Sequence, residues 1–438
     1  MQNDKPKSKI KKIKAREILD SRGNPTVEVE LETDFGVSSA SVPSGVSKGK
    51  YEVIELRDGG KRYGGMGVMR AVKNVNEVIA PNLIGKDLIK QKEIDNLLIE
   101  LDATENKSHL GANAILAVSI AVCRAGARAK NLSLYEYISQ LAENTSPLLL
   151  PKPCILLIEG GLHAGNNLDV QEFMILPKGD SFREKLRMGT EIYHDLGEIL
   201  KREYGKRAIN VGYEGGFAPP LSITEKALNL IMKAIEKAGY HGKVKIILDV
   251  AASTFYQSKT SNGSYMRSIQ GSAERSKAGS YKFERVSFTG EGLLNFYLDL
   301  VEKYPIWAIE DPFAQEDWEG FKEISKKLGE VIIIGDDLLV TNIEKIKKAI
   351  KEKACNGLVL KPNQIGTVSE TIEAAKLAMG ADWEVFVKHR GGETNDSFIS
   401  DLAVGLGAKY IMAGAPARGE RVAKYNRLLR IEEKLYNN

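Results

Sequence analysis

Several short apolar runs beyond residue 150 end on side chains that can carry out chemistry. Three of these runs end on carboxylates, Asp249, Glu310 and Asp336 in chain order. Runs of this kind, alternating with helical segments, predict parallel strands joined by crossover helices. In a closed barrel of such units the carboxyl ends of the strands meet on one face. The three carboxylates would then be neighbours, in an arrangement suited to a hard divalent cation.

The same series of runs supplies bases and cations. Lys361 ends one run, the triplet Lys388-His389-Arg390 ends another, and Gln171-Glu172 and Glu214 open the series. The next run ends on Met412, an apolar residue, and so breaks the pattern. We therefore expect a metal-binding barrel that gathers acids, bases and cations on one face, with one apolar exception.

The elements that must position these residues fall into two parts. Alternating polarity over 14–19, 26–33 and 37–42 predicts an antiparallel meander, and helical patterns follow at 66–80, 89–101, 113–130 and 133–141. A linker rich in proline lies at 144–153, and strands alternate with helices beyond it. We predict an α+β N-terminal capping domain over residues 1–147 and an α/β barrel over 148–438.

The segment 257–280 differs from its surroundings because it is rich in Ser, Gly, Lys and Arg and has almost no aliphatic residues. This composition predicts a mobile surface insertion in the barrel domain. A phosphorylated or partner-binding loop is the alternative interpretation.

Composition limits the class of protein. The chain has 438 residues, 43% hydrophobic and 27% charged, with a formal net charge of +4, which is typical of a soluble protein of two domains.

The basic start at 5–16 has no apolar run behind it, so we expect a solvated terminus rather than a secretory signal or a nucleic-acid arm. The apolar stretch 110–122 predicts a buried helix, being too short for a bilayer. Three separated cysteines predict buried free thiols and a cytoplasmic protein, and we expect neither nucleic acid nor membrane as a partner.

Long motifs in a fixed order carry a resemblance to a known family. They include Ala15-Arg-Glu-Ile-Leu-Asp-Ser-Arg-Gly-Asn-Pro, Glu214-Gly-Gly-Phe-Ala-Pro, Ile309-Glu-Asp-Pro-Phe, Gly335-Asp-Asp-Leu and Lys361-Pro-Asn-Gln-Ile-Gly. Through these motifs the chain resembles the enolase family over nearly its whole length. The resemblance implies an enolase-type, TIM-like barrel. It also implies a Mg²⁺-dependent lyase (phosphopyruvate hydratase) that reversibly dehydrates 2-phosphoglycerate to phosphoenolpyruvate in glycolysis and gluconeogenesis.

The resemblance also places roles on particular residues. Asp249, Glu310 and Asp336 match the ligands of one tightly bound Mg²⁺. Lys361 matches the general base, whose pKa should be lowered by surrounding cations. Four further residues match groups that assist the chemistry: Glu214 the acid that helps hydroxide leave, Glu172 its support, His163 a histidine on a mobile loop, and His389 a histidine lining the site.

Substrate contacts follow from the same resemblance. Arg390 matches the arginine that binds phosphate, and Ser47 matches the loop serine linked to a second Mg²⁺ recruited with the substrate. Gln171, Lys388 and Lys48 complete the predicted substrate-binding set. The expected partner is a small phosphorylated or carboxylic acid, and the family implies a homodimer or a larger homo-oligomer.

The chain departs from the family's motifs at positions that contact the substrate. The family lysine of Ile-Lys-Thr-Gly-Ala-Pro is Met412, and Ser-His-Arg-Ser is Lys388-His-Arg-Gly391. Tyr213 and Glu159 stand where the family has aspartate and asparagine, and the loop Ala-Ser-Thr-Gly is Val46-Ser-Lys-Gly. Replacing a buried lysine by a thioether removes an attraction of several kcal/mol toward a carboxylate.

Three hypotheses follow from these departures. The chain is a divergent enolase in which Lys48 or Lys388 restores anion binding, a paralogue that dehydrates another acidic substrate, or a catalytically retired paralogue used as a scaffold or binding protein. Once catalysis is lost, neutral mutations should change the metal ligands and the base as readily as the substrate contacts. The three metal ligands and the base all still match the family. If only substrate contacts have changed, Met412→Lys combined with Gly391→Ser should rescue turnover of 2-phosphoglycerate.

Overall fold

The computed structural model describes residues 8–46, 49–258 and 279–436. The N-terminal domain begins with a three-stranded antiparallel sheet in the order β1-β2-β3, which confirms the predicted meander. Its strands are β1 (Lys12–Leu19), β2 (Pro25–Thr33) and β3 (Gly36–Ser41). Alternate residues of β2, Val27, Val29 and Leu31, are fully buried, because the sheet has one face against the helices and one toward solvent.

Helices follow this sheet, some packed on its inner face and the others packed on the long helix among them. They are α1 (Met69–Asn74), α2 (Ala80–Leu83), α3 (Gln91–Asp102), α4 (Ala112–Ala129) and α5 (Leu134–Leu141). The segment predicted as one helix at 66–80 contains α1 and a π-helical turn, Val75–Ile79, that leads into α2. By length and composition α4 could cross a membrane, but 83% of its apolar window is buried inside the protein. As predicted, it is a core helix.

The second part of the chain forms a closed eight-stranded barrel in the order β10-β11-β12-β13-β14-β4-β5-β6. This confirms the predicted barrel class. The barrel strands are β4 (Lys152–Glu159), β5 (Glu172–Pro177), β6 (Val244–Asp249), β10 (Ile306–Glu310), β11 (Ile332–Gly335), β12 (Gly357–Leu360), β13 (Glu384–Lys388) and β14 (Tyr410–Met412). The helices are α6 (Phe182–Tyr204), α7 (Thr224–Lys237), α8 (Gly290–Lys303), α9 (Trp318–Lys327), α10 (Ile343–Glu352), α11 (Pro362–Ile365), α12 (Val368–Met379), α13 (Phe398–Leu406) and α14 (Gly419–Tyr436).

The prediction of an all-parallel barrel is wrong for β5, which runs antiparallel to both of its neighbours. Glu172 therefore begins its strand, yet it pairs with Glu159 and Asp249, which end theirs. The reversal brings Glu172 to the face where the other strands place their terminal side chains. Glu214 also differs from expectation, since it lies in a turn outside the barrel strands.

Most of the predicted insertion at 257–280 lies outside the described residues. Its two ends are described: Gln257 pairs with Ser280 between β7 (Tyr256–Gln257) and β8 (Ser280–Phe283). A third strand, β9 (Val286–Phe288), completes this small antiparallel sheet. The chain thus leaves and re-enters the fold at adjacent positions, as expected of an insertion.

Candidate active site

A buried lysine lies among the carboxylates at the barrel mouth. Lys388 ends β13, and its Nζ donates to Asp249 Oδ2 at 2.8 Å and to Glu310 Oε1 and Oε2 at 2.8 and 3.0 Å. The same Nζ lies 3.1 Å from Glu172 Oε1. Burial opposes the charge, but these carboxylates outweigh it and raise the pKa of Lys388 well above its usual value. Lys388 was predicted to bind an anionic substrate; the structure instead directs its ammonium into the predicted metal ligands.

The third predicted metal ligand, Asp336, is held by a second lysine. Lys361 follows β12 and donates to Asp336 Oδ2, while Gln364 donates to Asp336 Oδ1 at 2.8 Å. The sequence predicted that neighbouring cations would lower the pKa of Lys361. Burial favours the neutral amine, but the Asp336 carboxylate outweighs it and raises the pKa of Lys361. The predicted base is therefore a paired ammonium in this arrangement.

Two groups among the described residues bring three ligand atoms within 4.8 Å of one another and could hold a metal ion. One is His163, Glu172 and Glu214, and the other is Asp311, Asp336 and Asp337. The predicted set of Asp249, Glu310 and Asp336 is arranged differently, with its carboxylates bound to lysine ammonium groups. As they are arranged here, these three residues do not fit the Mg²⁺ that the family resemblance implies.

Glu172 and Glu214 form a pair of buried carboxyl groups beside Lys388. Nδ1 of His163 lies 3.4 Å from Glu214 Oε1 and 3.9 Å from Glu172 Oε1. Burial and the nearby Glu214 charge raise the pKa of Glu172 well above its usual value. Burial would also raise the pKa of Glu214, but His389 and His163 outweigh it and lower that pKa well below its usual value. The two environments therefore push the pKa values of the pair apart, and Glu172 is the member that holds a proton more readily.

The orientation of His389 is set by a residue that sequence reasoning missed. Arg421 is fully buried, and its guanidinium contacts His389 Nδ1 and donates to the backbone oxygen of Arg390. A guanidinium can only donate, so His389 Nδ1 is the acceptor and the ring proton lies on Nε2. This nitrogen lies 3.2 Å from Glu214 Oε2. Burial lowers the pKa of His389 to about 3, so the ring is neutral and its Nε2 proton lies close to Glu214 without a well-aligned hydrogen bond.

The predicted substrate contacts are placed as follows. Arg390 is buried and forms a bidentate pair with Glu52 of the N-terminal domain, at 2.8 and 3.1 Å. Gln171 donates to Asp249 Oδ2 at 3.2 Å. Ser47 and Lys48 lie outside the described residues. Sequence reasoning missed Glu52, and also Gln364, although Gln364 belongs to the motif that contains Lys361.

The departures from the family motifs are linked in space. Lys388 and Met412 are directly paired in the parallel register of β13 and β14, and both are buried. A Cβ added to Gly391 would lie 2.4 Å from Val46 Cγ2 and 3.6 Å from Glu214 Oε1. The large residue at 46 and the small one at 391 therefore fit each other. Tyr213 is partly exposed, with the Arg22 guanidinium 5.8 Å from the centre of its ring.

Glu159 stands where the family has asparagine, and its carboxyl group is expected to make the stability of the fold depend on pH. Its Oε1 accepts hydrogen bonds from the backbone N–H groups of Glu214 and Gly216 at 2.9 and 2.8 Å. Burial, aided by the Glu214 charge, raises the pKa of Glu159 from 4.5 to about 8. Between these values the folded chain holds a proton that the unfolded chain releases, so stability falls as the pH rises.

We expect Glu159→Gln to remove this pH dependence. The free energy of unfolding of the unmodified chain should decrease by about 3–4 kcal/mol more than that of the variant between pH 5 and pH 8. Urea unfolding at the two pH values measures the difference. Glu433→Gln, at an exposed position on α14, should behave like the unmodified chain. Parallel pH profiles for the Glu159 variant and the unmodified chain would contradict the assignment.

Fold and site together define an α/β-barrel enzyme whose acids and bases converge at one end of the barrel. Two family models match the chain: "Enolase, N-terminal domain" over residues 10–138 and "Enolase, C-terminal TIM barrel domain" over residues 147–438. The chain belongs to the enolase family, a family of hydro-lyases.

Similar proteins match over nearly their whole length. The enolase of Mastigamoeba balamuthi is 54% identical over 434 residues, covering 98% of this chain and 97% of that protein. Enolase B of Dictyostelium discoideum is 54% identical over 97% of this chain and 95% of its own length. The enolase of Solanum lycopersicum is 53% identical over the same shares.

Proposed function

We propose that this chain catalyses the reversible removal of water from a small acidic substrate, with 2-phosphoglycerate, giving phosphoenolpyruvate, as the first candidate. The observation that carries the proposal is the convergence of Lys361, the Glu172–Glu214 pair and the neutral His389 at one end of the barrel. These groups supply a base and an acid for a proton abstraction and a hydroxide departure. The high identity to enolases supports the same reaction class.

In the proposed reaction Lys361 takes the proton from the carbon next to the substrate carboxylate. It must first release its own proton to solvent and leave Asp336, to which it donates in this structure. The carboxyl pair delivers a proton to the hydroxyl that leaves from the neighbouring carbon. His389 places its Nε2 proton 3.2 Å from Glu214 Oε2 and would donate it to that carboxylate during the reaction. Arg390, now paired with Glu52, would bind an anionic group of the substrate.

In other enolases, a divalent metal stabilises the charge that develops on the substrate carboxylate. Because Asp249, Glu310 and Asp336 do not fit that ion as arranged here, no step of the proposed reaction is assigned to it. A place in glycolysis or gluconeogenesis, a cytoplasmic location, and a homodimer or larger homo-oligomer are carried over from the family as part of the proposal. The catalytic residues proposed are Lys361, Glu214, Glu172, His163 and His389.

A second candidate is the dehydration of a different acidic substrate. The paired change at Lys388 and Met412 favours it. The thioether removes a cation from one strand, and the ammonium on the next strand is bound to protein carboxylates. A substrate carboxylate would therefore meet neither lysine. An acid that places its charges elsewhere, toward Arg390 for instance, would fit the altered site better.

The test is an assay of the purified full-length chain with 2-phosphoglycerate, with excess Mg²⁺ and separately with a chelator. Formation of phosphoenolpyruvate, followed by the absorbance of its double bond, is the expected result. Absence of product under both conditions would contradict the first candidate. A panel of other 2- and 3-hydroxy acids, with and without phosphate, then tests the second. The same panel giving no product at all would support a retired paralogue and overturn the proposal.

A further inference from the structure

We propose that the ammonium of Lys388 takes the place that the enolase family gives to its tightly bound divalent metal, so that this chain folds and keeps its barrel-mouth cluster without Mg²⁺ at that position. The inference goes beyond the proposed activity and does not depend on it, because it concerns which cation the carboxylates hold.

The protein itself satisfies every carboxylate oxygen of the predicted ligand set. Asp249 Oδ1 accepts from the backbone N–H of Ala251 at 3.1 Å, and its Oδ2 accepts from Lys388 and Gln171. Both oxygens of Glu310 accept from Lys388. The two oxygens of Asp336 accept from Gln364 and Lys361. A metal at this position would have to replace donors at all three residues.

The Lys388 ammonium bridges carboxylates of neighbouring strands. An ammonium carries three N–H donors, and Lys388 Nζ directs them to Asp249 Oδ2 and to both oxygens of Glu310, at 2.8 to 3.0 Å, with Glu172 Oε1 a further 3.1 Å neighbour. Its side chain is 3% exposed, so protein atoms rather than water surround it. The ammonium thus links the carboxylates at the ends of adjacent strands, as a cation bound between them would.

Electrostatic repulsion also disfavours a divalent ion beside Lys388. A divalent ion a few Å from a buried ammonium would be repelled by several kcal/mol even at an effective dielectric constant of about 20. Moving Lys388 away would leave its ammonium buried without partners, which is also costly. The neighbouring strand fits this arrangement, since Met412, paired with Lys388 in the β13–β14 register, adds no second positive charge.

The experiment measures Mg²⁺ binding to the full-length chain by calorimetry, together with the thermal midpoint in chelator and in excess Mg²⁺. For the unmodified chain we expect no saturable binding, and a midpoint that moves by less than about 1 °C between the two conditions. Lys388→Ser should show saturable binding of one Mg²⁺, at least about 100-fold tighter than any residual binding by the unmodified chain, and its midpoint should rise by several °C with the ion. The matched control is Lys409→Ser, which removes an exposed lysine paired with Glu384 and should behave like the unmodified chain.

Saturable binding of one Mg²⁺ to the unmodified chain, abolished by Asp249→Asn, would overturn the inference. So would a Lys388→Ser variant that folds and gains no Mg²⁺ affinity. If Lys388→Ser is unfolded in chelator, its folding on addition of Mg²⁺ supports the inference. Saturable Mg²⁺ binding by the unmodified chain would still contradict it. None of these readouts measures turnover, so failure of the proposed dehydration would be recognised separately.

Discussion

Reverting Val46→Ala, Lys388→Ser, Gly391→Ser and Met412→Lys together is expected to raise turnover of 2-phosphoglycerate by about 10²–10³-fold, equivalent to about 3–4 kcal/mol of transition-state stabilisation. The four changes restore the family's residues at each position. They return a cation to the strand that should face the substrate carboxylate, and they remove the ammonium from Asp249 and Glu310. Steady-state kinetics in excess Mg²⁺ measure the change in kcat/KM.

The structure explains why fewer changes should fail. Met412→Lys alone places a second ammonium directly beside Lys388 in the register of β13 and β14, where two buried like charges repel. Gly391→Ser alone brings a Cβ to 2.4 Å from Val46 Cγ2, so one of the two residues must move. The double variant Met412→Lys with Gly391→Ser, which sequence reasoning favoured, therefore carries both conflicts.

That double variant is the matched control for the fourfold reversion. We expect it to be less stable than the unmodified chain and to show no gain in kcat/KM. Full rescue by the double variant would show that Lys388 and Val46 do not obstruct the site. An inactive fourfold variant that binds Mg²⁺ would instead indicate that residues beyond these positions have adapted to another substrate.

The sequence was sufficient to predict the barrel, the N-terminal meander and the residues that converge at the barrel mouth. Apolar runs that end in Asp249 or Glu310 predict strand ends whatever the strand direction. The reversal of β5 could not be read from its own residues, since an apolar strand buried on both faces has the same pattern in either direction. Only its pairing with β4 and β6 shows that Glu172 begins the strand.

The partner of each charge was the least predictable part of the site. Lys388 follows an apolar run, and a lysine near a phosphate-binding arginine suggests an anionic ligand. Its side chain is long enough to reach either the substrate or the carboxylates, and the buried acids of three neighbouring strands decide between them. Nothing in the sequence predicted a role for Arg421, because it lies in a helical segment near the end of the chain. Only the folded structure brings it into contact with His389.

Proton abstraction and hydroxide departure, the two halves of the proposed reaction, should be impaired by different substitutions. Lys361→Met is expected to abolish exchange of the substrate's α-proton with solvent deuterium, and to reduce net dehydration by about 10²–10⁴-fold. Glu214→Gln should reduce dehydration by a similar factor while the exchange persists, as expected of a stepwise reaction in which the proton leaves carbon before hydroxide departs. NMR of the substrate in deuterium oxide measures exchange, and product formation measures dehydration.

Stability must be measured beside activity, since Lys361→Met leaves the buried Asp336 without its ammonium partner. An Asp336→Asn, Lys361→Met double variant keeps an uncharged polar side chain at 336 that Gln364 can still contact. If this double variant is as stable as the unmodified chain and still exchanges no proton, the loss lies in the base itself. Exchange that persists without Lys361 would assign the base to another residue. Exchange lost in Glu214→Gln as well would mean that proton abstraction and hydroxide departure are a single step here, because the carboxyl pair and the lysine would then act on the same transition state.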